Sequence, residues 1–356
     1  MRALVLAGGT GTRLRPFTYS LPKQLVPVAN KPVLVHCLEN IRQMGVEEVG
    51  IIVGDRADQI REAIGDGAAY GLRVTYITQA APLGLAHCVK IAAPFLGDED
   101  FVMYLGDNIL VGCLAETAER FRASGSPARI LVTKVADPRQ YGVAELDETG
   151  RVTALVEKPT QPRSDLAMIG VYFFTPAIHD AVNRIVPSRR GELEITDAIA
   201  DLLGHGGQVD AEEYTGYWKD TGTVADLLDC NRLLLDGTAG AVGGTVDAET
   251  VVQGPVVIEE GATVTRSRLV GPLTVAAGSV VEDSYLGPYT SVGRSCHISG
   301  AGIEDSIILE GARVREVTGI KGSLIGRWAL IGSTARPAPQ HRILVGDHAD
   351  LEVAVA

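Results

Sequence analysis

Up to about residue 236 the chain alternates two hydrophobic patterns. "RALVLA", "VGIIVG", "RVTYITQ", "FVMYLGD" and "ARILVTKV" are short runs rich in β-branched and aromatic residues, which predict strands. Stretches between them have apolar residues every three or four positions, which predict helices. "KPVLVHCLENIRQMG" is one, with Pro32 suited to a first turn, Leu34, Leu38, Ile41 and Met44 on one face, and Gly45 as the stop. Strands alternating with helices imply an α/β fold with a mostly parallel, Rossmann-like sheet covered on both faces.

From about Val246 the period changes to six. Val246, Val252, Ile258, Val264 and Val270 are in step, as are Leu269, Val275 and Val281 after a slip. Leu286, Val292 and Ile298 follow, then Ile308, Val314 and Ile320. A hexad period predicts a parallel β-helix, each hexad giving one short strand with its aliphatic residue turned inward. The slips predict irregular coils. "TAGAVGG" (238–244) reads as a linker, so two domains are expected, 1–237 and 245–356.

Ligands of such sheets bind beyond the carboxyl ends of the strands. The first strand runs into "GGTGTRLRPFT". This loop lacks the lysine of a P-loop and the third glycine of a dinucleotide fingerprint. Gly8, Gly9 and Gly11 nevertheless allow several N–H groups to approach one anion, Thr10 and Thr12 lie among them, and Arg13 adds a planar donor fork. A plain tight turn would need the same glycines.

The net charge of −12 argues against nucleic acid or an anionic membrane as partner, although Arg13, Arg15, Lys23 and Lys31 make one locally basic stretch. Five scattered cysteines without a C-x-x-C predict reduced thiols and a cytoplasmic protein. No histidine spacing suits zinc, and no apolar run reaches transmembrane length.

Other candidates follow later strands. Gln79 carries an amide able to meet a pyrimidine edge, with Pro82 and Gly84 before a helix. Asp107 in "YLGDN" and Asp220 in "YWKDTG" suit magnesium, which takes one or two carboxylates plus phosphate oxygens; each could equally cap a helix or turn. Glu157 and Lys158 in "VEKP" pair an acceptor with a cation, which suits a sugar hydroxyl and its phosphate; a surface charge pair reads the same way.

Six motifs in order, "GGTGTRL", "PKQL", "QAAPLGLA", "LGDN", "EKP" and "WKDTG", resemble those of the nucleotide-sugar pyrophosphorylases, over essentially the whole chain. The resemblance is to the longer form with a carboxyl-terminal left-handed parallel β-helix. Gln24 after Lys23, and "PLGLAH", fit thymidylyl or uridylyl enzymes better than guanylyl ones. Leu83 and Lys219 depart from the shorter thymidylyl form.

The resemblance implies dTTP and glucose 1-phosphate as substrates, Mg2+ as cofactor and a homo-oligomer. It implies Arg13, Lys23 and Lys158 as catalytic cations, and Asp107 and Asp220 as metal ligands. Gly8, Gly9, Thr10, Gly11 and Thr12 would hold the triphosphate, Gln79, Pro82 and Gly84 the base, and Gly142, Glu157 and Gly170 the sugar. UTP in place of dTTP, a non-catalytic nucleotide-sugar sensor, and an acyltransferase using His297 are the alternatives.

Overall fold

The computed structural model describes residues 1–333 and His348. Its packing forms two units. One comprises Met1–Thr10 with Val33–Lys219, the other Gly11–Pro32 with the chain from Asp220 onward.

The first unit is built on a nine-stranded sheet. Its strands are β1 (Arg2–Leu6), β2 (Glu48–Val53), β3 (Arg73–Thr78), β4 (Phe101–Leu105), β5 (Ala128–Lys134), β6 (Gly142–Leu146), β7 (Val152–Glu157), β8 (Leu166–Phe174) and β9 (Val209–Glu213). They lie in the order β7-β6-β8-β4-β1-β2-β3, with β5 beside β8 and β9 beside β5. Each of the five runs read as strands from the sequence is one.

The sheet is mixed, not mostly parallel. β1, β2, β3 and β4 run parallel, as do β5 and β9, but β8 is antiparallel to β4, β5 and β6, and β6 to β7. Parallel neighbours need a long crossover. Between β5 and β8 the chain holds no α-helix to form such a crossover, but a short 3-10 turn (Pro138–Gln140) and the β6–β7 hairpin, and β8 returns antiparallel.

One face of the sheet buries Leu4, Ile52, Phe101, Met103 and Phe174 against Val89, Ala92, Ile178 and Ile199 from three helices. The helix Val33–Gln43 buries Leu34, Leu38 and Ile41 completely, as its periodicity predicts. Pro32 lies just outside that helix, in a two-residue strand.

In the second unit, from Ala241 on, two- and three-residue strands build three parallel sheets consistent with a β-helix. Val264 pairs with Val281, Val281 with Ile298 and Ile298 with Val314. The buried aliphatics include Ile258, Val264, Leu269, Val275, Val281, Leu286, Val292, Ile298, Ile303, Ile308 and Val314. The hexad reading is corrected at three points. Leu269, not Val270, is fully buried; Ile303 belongs to the series; Val252 is exposed, because the first coil has none before it to pair with. One face of most coils turns after five residues instead of six, and this shift produces the slip.

The expected linker already contains a coil strand, Ala241–Val242, paired with Val256–Ile258. Packing also groups residues differently from a division at 237/245. Asn231, fully buried on the helix Val224–Asp236, accepts from Ala29 N and Ser291 Oγ at 2.9 and 2.7 Å and donates to Tyr289 O at 2.8 Å. Asn30 donates to Val292 O at 2.8 Å, and Arg232 pairs with Asp305 at 2.7 Å. These bonds gather the 11–32 segment and this helix onto the coil. The end of the expected 245–356 domain lies outside the described residues from 334 on, apart from His348. No described helix is long and apolar enough to cross a membrane.

Candidate functional site

Register brings the first-unit candidates to one edge. Leu6 lies beside Ile52 and Leu105, and Val53 beside Thr78, so four parallel strands finish at one level. Ala7 N then donates to Ile52 O, Gln79 N to Val53 O and Gly106 N to Leu6 O. Gly8, Gln79 and Asp107 therefore leave the sheet together. A Cβ at Gly8 would stand 3.6 Å from Gln79 Oε1, so the loop and the amide face each other. Gly9, Thr10 and Pro82 are exposed.

Gly84 caps the helix Leu85–Leu96 at φ 101°. Any Cβ there would collide with the backbone of Leu193, whose N and O bond Leu83 O and Ala86 N. Its bareness thus has a packing cause within the protein. Gln79 Nε2 donates to Gly84 O at 3.3 Å and lies 3.1 Å from His87 Nδ1. Burial, and then the charge of Lys90, hold the His87 pKa below its ordinary value. Cys88 beneath is pushed up to about 12, chiefly by burial, so it is an inert thiol.

Asp107 accepts from Asn108 Nδ2 at 3.2 Å, and buried Asn108 accepts from Trp218 Nε1 at 2.8 Å. Tyr141 meets Trp218 edge to face at 5.3 Å. Gly170 sits at the irregularity between Met168 and Tyr172, where β8 loses register with β5; its φ of 78° suits a bulge.

Gly142 and Glu157 are paired across β6 and β7. Glu157 accepts from Arg190 Nη1 and Thr196 Oγ1, each at 3.3 Å, and Lys158 Nζ lies 3.7 Å away. Lys158 holds φ 42°, unusual for a residue with a side chain, while its N–H bonds Tyr141 O at 3.0 Å. Burial raises the Glu194 carboxyl, which Ser188 and Arg190 oppose and the charge of Glu157 reinforces. An acceptor beside two cations is a place for a hydroxyl next to a phosphate.

The remaining candidates belong to the second unit. Gly11, at φ 63°, opens a short turn over Thr12–Leu14. Its carbonyl accepts from Thr18 Oγ1 at 2.8 Å, and a Cβ there would stand 3.0 Å from Lys23 Cβ. The Arg13 guanidinium lies over Gly222, with Nη2 3.5 Å from Asp220 Oδ2. Gly11, Arg13, Lys23 and Asp220 are thus neighbours despite some two hundred residues between the first and last. Thr12 is exposed, and the Arg13 side chain is 65% exposed.

Among the described residues no three His, Cys, Asp or Glu side chains form a self-sufficient metal site. Asp107 and Asp220 are each half-buried carboxylates, and such oxygens suit a hard divalent cation that completes its shell with phosphate and water.

A model of nucleotidyl transferases matches residues 2–237. The chain belongs to the nucleotidyl transferase family. A nucleotidyl transferase of Streptomyces antibioticus, named glucose-1-phosphate thymidylyltransferase, is 54% identical over 354 residues, 99% of each chain. One of the same name from Streptomyces griseus is 51% identical over 99% of this chain and 100% of its own. The low-salt glycan biosynthesis nucleotidyltransferase Agl11 of Haloferax volcanii is 43% identical over 99% of this chain and 100% of its own. A Bacillus anthracis structure described as a glucose-1-phosphate thymidylyltransferase with sucrose superposes at TM-score 0.62 with 32% identity, covering 65% of this chain and 94% of that one. The resemblance read from six ordered motifs is borne out.

Sequence reasoning missed Arg190, Thr196, His87 and Trp218 among the neighbours of the candidates. "SRRGELEIT" offers a cation and a hydroxyl with no spacing that singles them out, and His87 reads as one more residue of an apolar helix. Trp218, inside "YWKDTG", and His87, the last residue of "PLGLAH", lay within segments already marked, but neither had a role of its own there.

Proposed function

We propose that this chain transfers a thymidylyl group from dTTP to glucose 1-phosphate, releasing pyrophosphate and forming dTDP-glucose. The single observation that carries the reading is the 54% identity, end to end, with a relative bearing that name. Every charged residue of the six motifs is present as well. The full fold proposed is a Rossmann-like nucleotidyltransferase domain over 1–237 and a left-handed β-helix over 245–356, acting in a cytoplasmic homo-oligomer.

An oxygen of the sugar phosphate attacks the α-phosphorus and pyrophosphate departs on the opposite side. Both reactants are polyanions. Two unit charges 4 Å apart repel by about 4 kcal/mol at an effective dielectric near 20, so holding like charges together is the main task. Phosphoryl-type transfer needs chiefly positioning and charge stabilisation. The amides of Gly8, Gly9 and Gly11, with Thr10, Thr12 and Arg13, hold the triphosphate and receive the charge of the leaving group. Lys23 offsets charge at the α-phosphate. Lys158 aligns the attacking phosphate beside Glu157, which with Gly142 and Gly170 receives the sugar. Gln79, Pro82 and Gly84 receive the base. Asp107 and Asp220 would hold Mg2+, which would supply further positive charge to the phosphates. No general base is required, because the nucleophile is already ionised at neutral pH.

A second reading exchanges dTTP for UTP. It is favoured by 38% identity over 68% of the chain to the Haloferax volcanii UTP--glucose-1-phosphate uridylyltransferase AglF. The thymine methyl is worth about 0.8 kcal/mol when buried, only several-fold in preference. An acyltransferase role has less support: His297 lies on a coil strand, 3.8 Å from Glu282. The test is a matrix of dTTP, UTP, dCTP, GTP and ATP against several hexose 1-phosphates with Mg2+, following pyrophosphate. The highest kcat/KM is expected for dTTP with glucose 1-phosphate. No pyrophosphate from any pair overturns the reading.

A further inference from the structure

The Gln79 amide has two faces with opposite hydrogen-bonding character, and its neighbours decide which one is spent inside the protein. A carbonyl oxygen can only accept. Gly84 O, 3.3 Å from Gln79 Nε2, therefore requires the amide nitrogen on its side. His87 Nδ1 lies 3.1 Å from the same nitrogen. A neutral imidazole has one donor and one acceptor nitrogen, so Nδ1 accepts here and the ring proton sits on Nε2. Burial and Lys90 favour that neutral ring. With both amide hydrogens directed inward, Oε1 remains on the side of the glycine loop, facing Gly8.

We propose that His87 is a positioning residue for the nucleotide base: by accepting from Gln79 Nε2 it locks the amide with its oxygen toward the ligand, and so selects pyrimidines that carry a proton on N3. Thymine and uracil offer an N3–H to that oxygen. Cytosine offers a lone pair at N3, and two acceptors would then oppose each other, a rejection by mismatch as much as a selection by fit. Without the Nδ1 acceptor only the long bond to Gly84 O and the contact with the Cys88 thiol oppose an amide turn of 180°, which would present NH2 and favour cytosine. This rests on the reading of Gln79 as the base-contacting residue of a dTTP- or UTP-using enzyme.

The test measures kcat and KM for dTTP and dCTP, with glucose 1-phosphate and Mg2+, in the wild type, His87→Leu, His87→Asn and Gln79→Ala. In His87→Leu the KM for dTTP rises roughly five- to tenfold, as expected for one neutral hydrogen bond, while kcat stays within about twofold. The preference for dTTP over dCTP shrinks by at least the same factor. His87→Asn, whose side-chain oxygen can stand near the position of Nδ1, recovers most of both. An unchanged preference in His87→Leu, or equal losses in the leucine and asparagine variants, overturns the proposal while leaving the enzyme's assignment intact. An unchanged preference in Gln79→Ala removes Gln79 from base recognition, and the proposal with it. Turnover of neither dTTP nor UTP by the wild type overturns both readings. Imidazole 15N NMR of the wild type checks the tautomer without any variant. A proton on Nε2 is expected, and one on Nδ1 overturns the proposal.

Discussion

In the sheet of the first unit, the four parallel strands β1 to β4 run five or six residues, finish at one level and hand the chain to unlike loops. In the coil of the second unit, parallel strands run two or three residues and hand the chain to corners that repeat. Parallel pairing is common to both, but the sheet concentrates irregularity at one edge while the coil spreads regularity along its length. Gly8, Gln79 and Asp107 could be three different residues because each follows a different strand. A coil position is bound to its copy one turn away. Ser284 N donates to Ser267 Oγ, Ala301 N to Ser284 Oγ, and Ser323 N to Ser306 Oγ, while each serine hydroxyl donates to a carbonyl two residues back. A corner hydroxyl there supplies the acceptor that a turning backbone lacks, which is a structural role repeated and not a reactive one.

The contrast can be broken most decisively at the edge. Lys158→Ala removes one charge-stabilising donor and is expected to lower turnover by roughly two to three powers of ten. Its unfolding midpoint should barely move, since the side chain is 42% exposed. A loss below fivefold would deny the edge its chemistry.

The sheet also has a purely structural electrostatic element. Arg129, 12% exposed, pairs with Asp210 at 3.4 Å and Glu212 at 3.1 Å. Burial pushes the Asp210 carboxyl up, but bonds from Ser126, Gln208 and Arg129 more than offset it, and Glu212 is likewise held low against burial by Arg120 and Thr117. Carboxyls lowered in the folded state contribute stability above their unfolded values, near pH 4, and lose it as the pH falls through the lowered ones. Arg129→Met should therefore cost about 2–3 kcal/mol at pH 7, allowing for screening at the exposed oxygens. The cost should shrink below about pH 4 in denaturant titrations at several pH values. A difference independent of pH would assign the loss to packing instead.

The smallest effect belongs to the coil. Ser284→Ala leaves the Ala301 N–H without its acceptor and should destabilise by about 1–2 kcal/mol in urea, with kcat and KM for both substrates unaltered. A change in kinetics with no change in stability would mean that the coil corners take part in the reaction.

Much of this was legible along the chain. The five strands follow from short runs rich in β-branched and aromatic residues, and the buried face of the helix Val33–Gln43 and most inward coil residues from periods of 3.6 and six, which backbone geometry imposes locally. The glycine loop and the carboxylates were legible because strand ends are where such residues have room to act. What was misread depended on partners. Val270 and Leu269 differ by one position, and only the corner geometry decides which of them faces inward. The bareness of Gly84 has a second cause, legible only in the fold: Leu193, more than a hundred residues on, leaves no space for a Cβ there.

The sequence by itself determined the alternating α/β pattern, the hexad coil and the inventory of charged groups, because these rest on short-range spacing and on which residue types can carry the chemistry. Tertiary structure alone decided that half the sheet runs antiparallel, that the 11–32 segment packs with the coil through Asn30 and Asn231, and that the Gln79 amide has its nitrogen turned inward. Each of those depends on a hydrogen-bond partner supplied by another turn or strand. A donor's chemistry is written in its residue type; its direction is fixed only when the acceptor arrives.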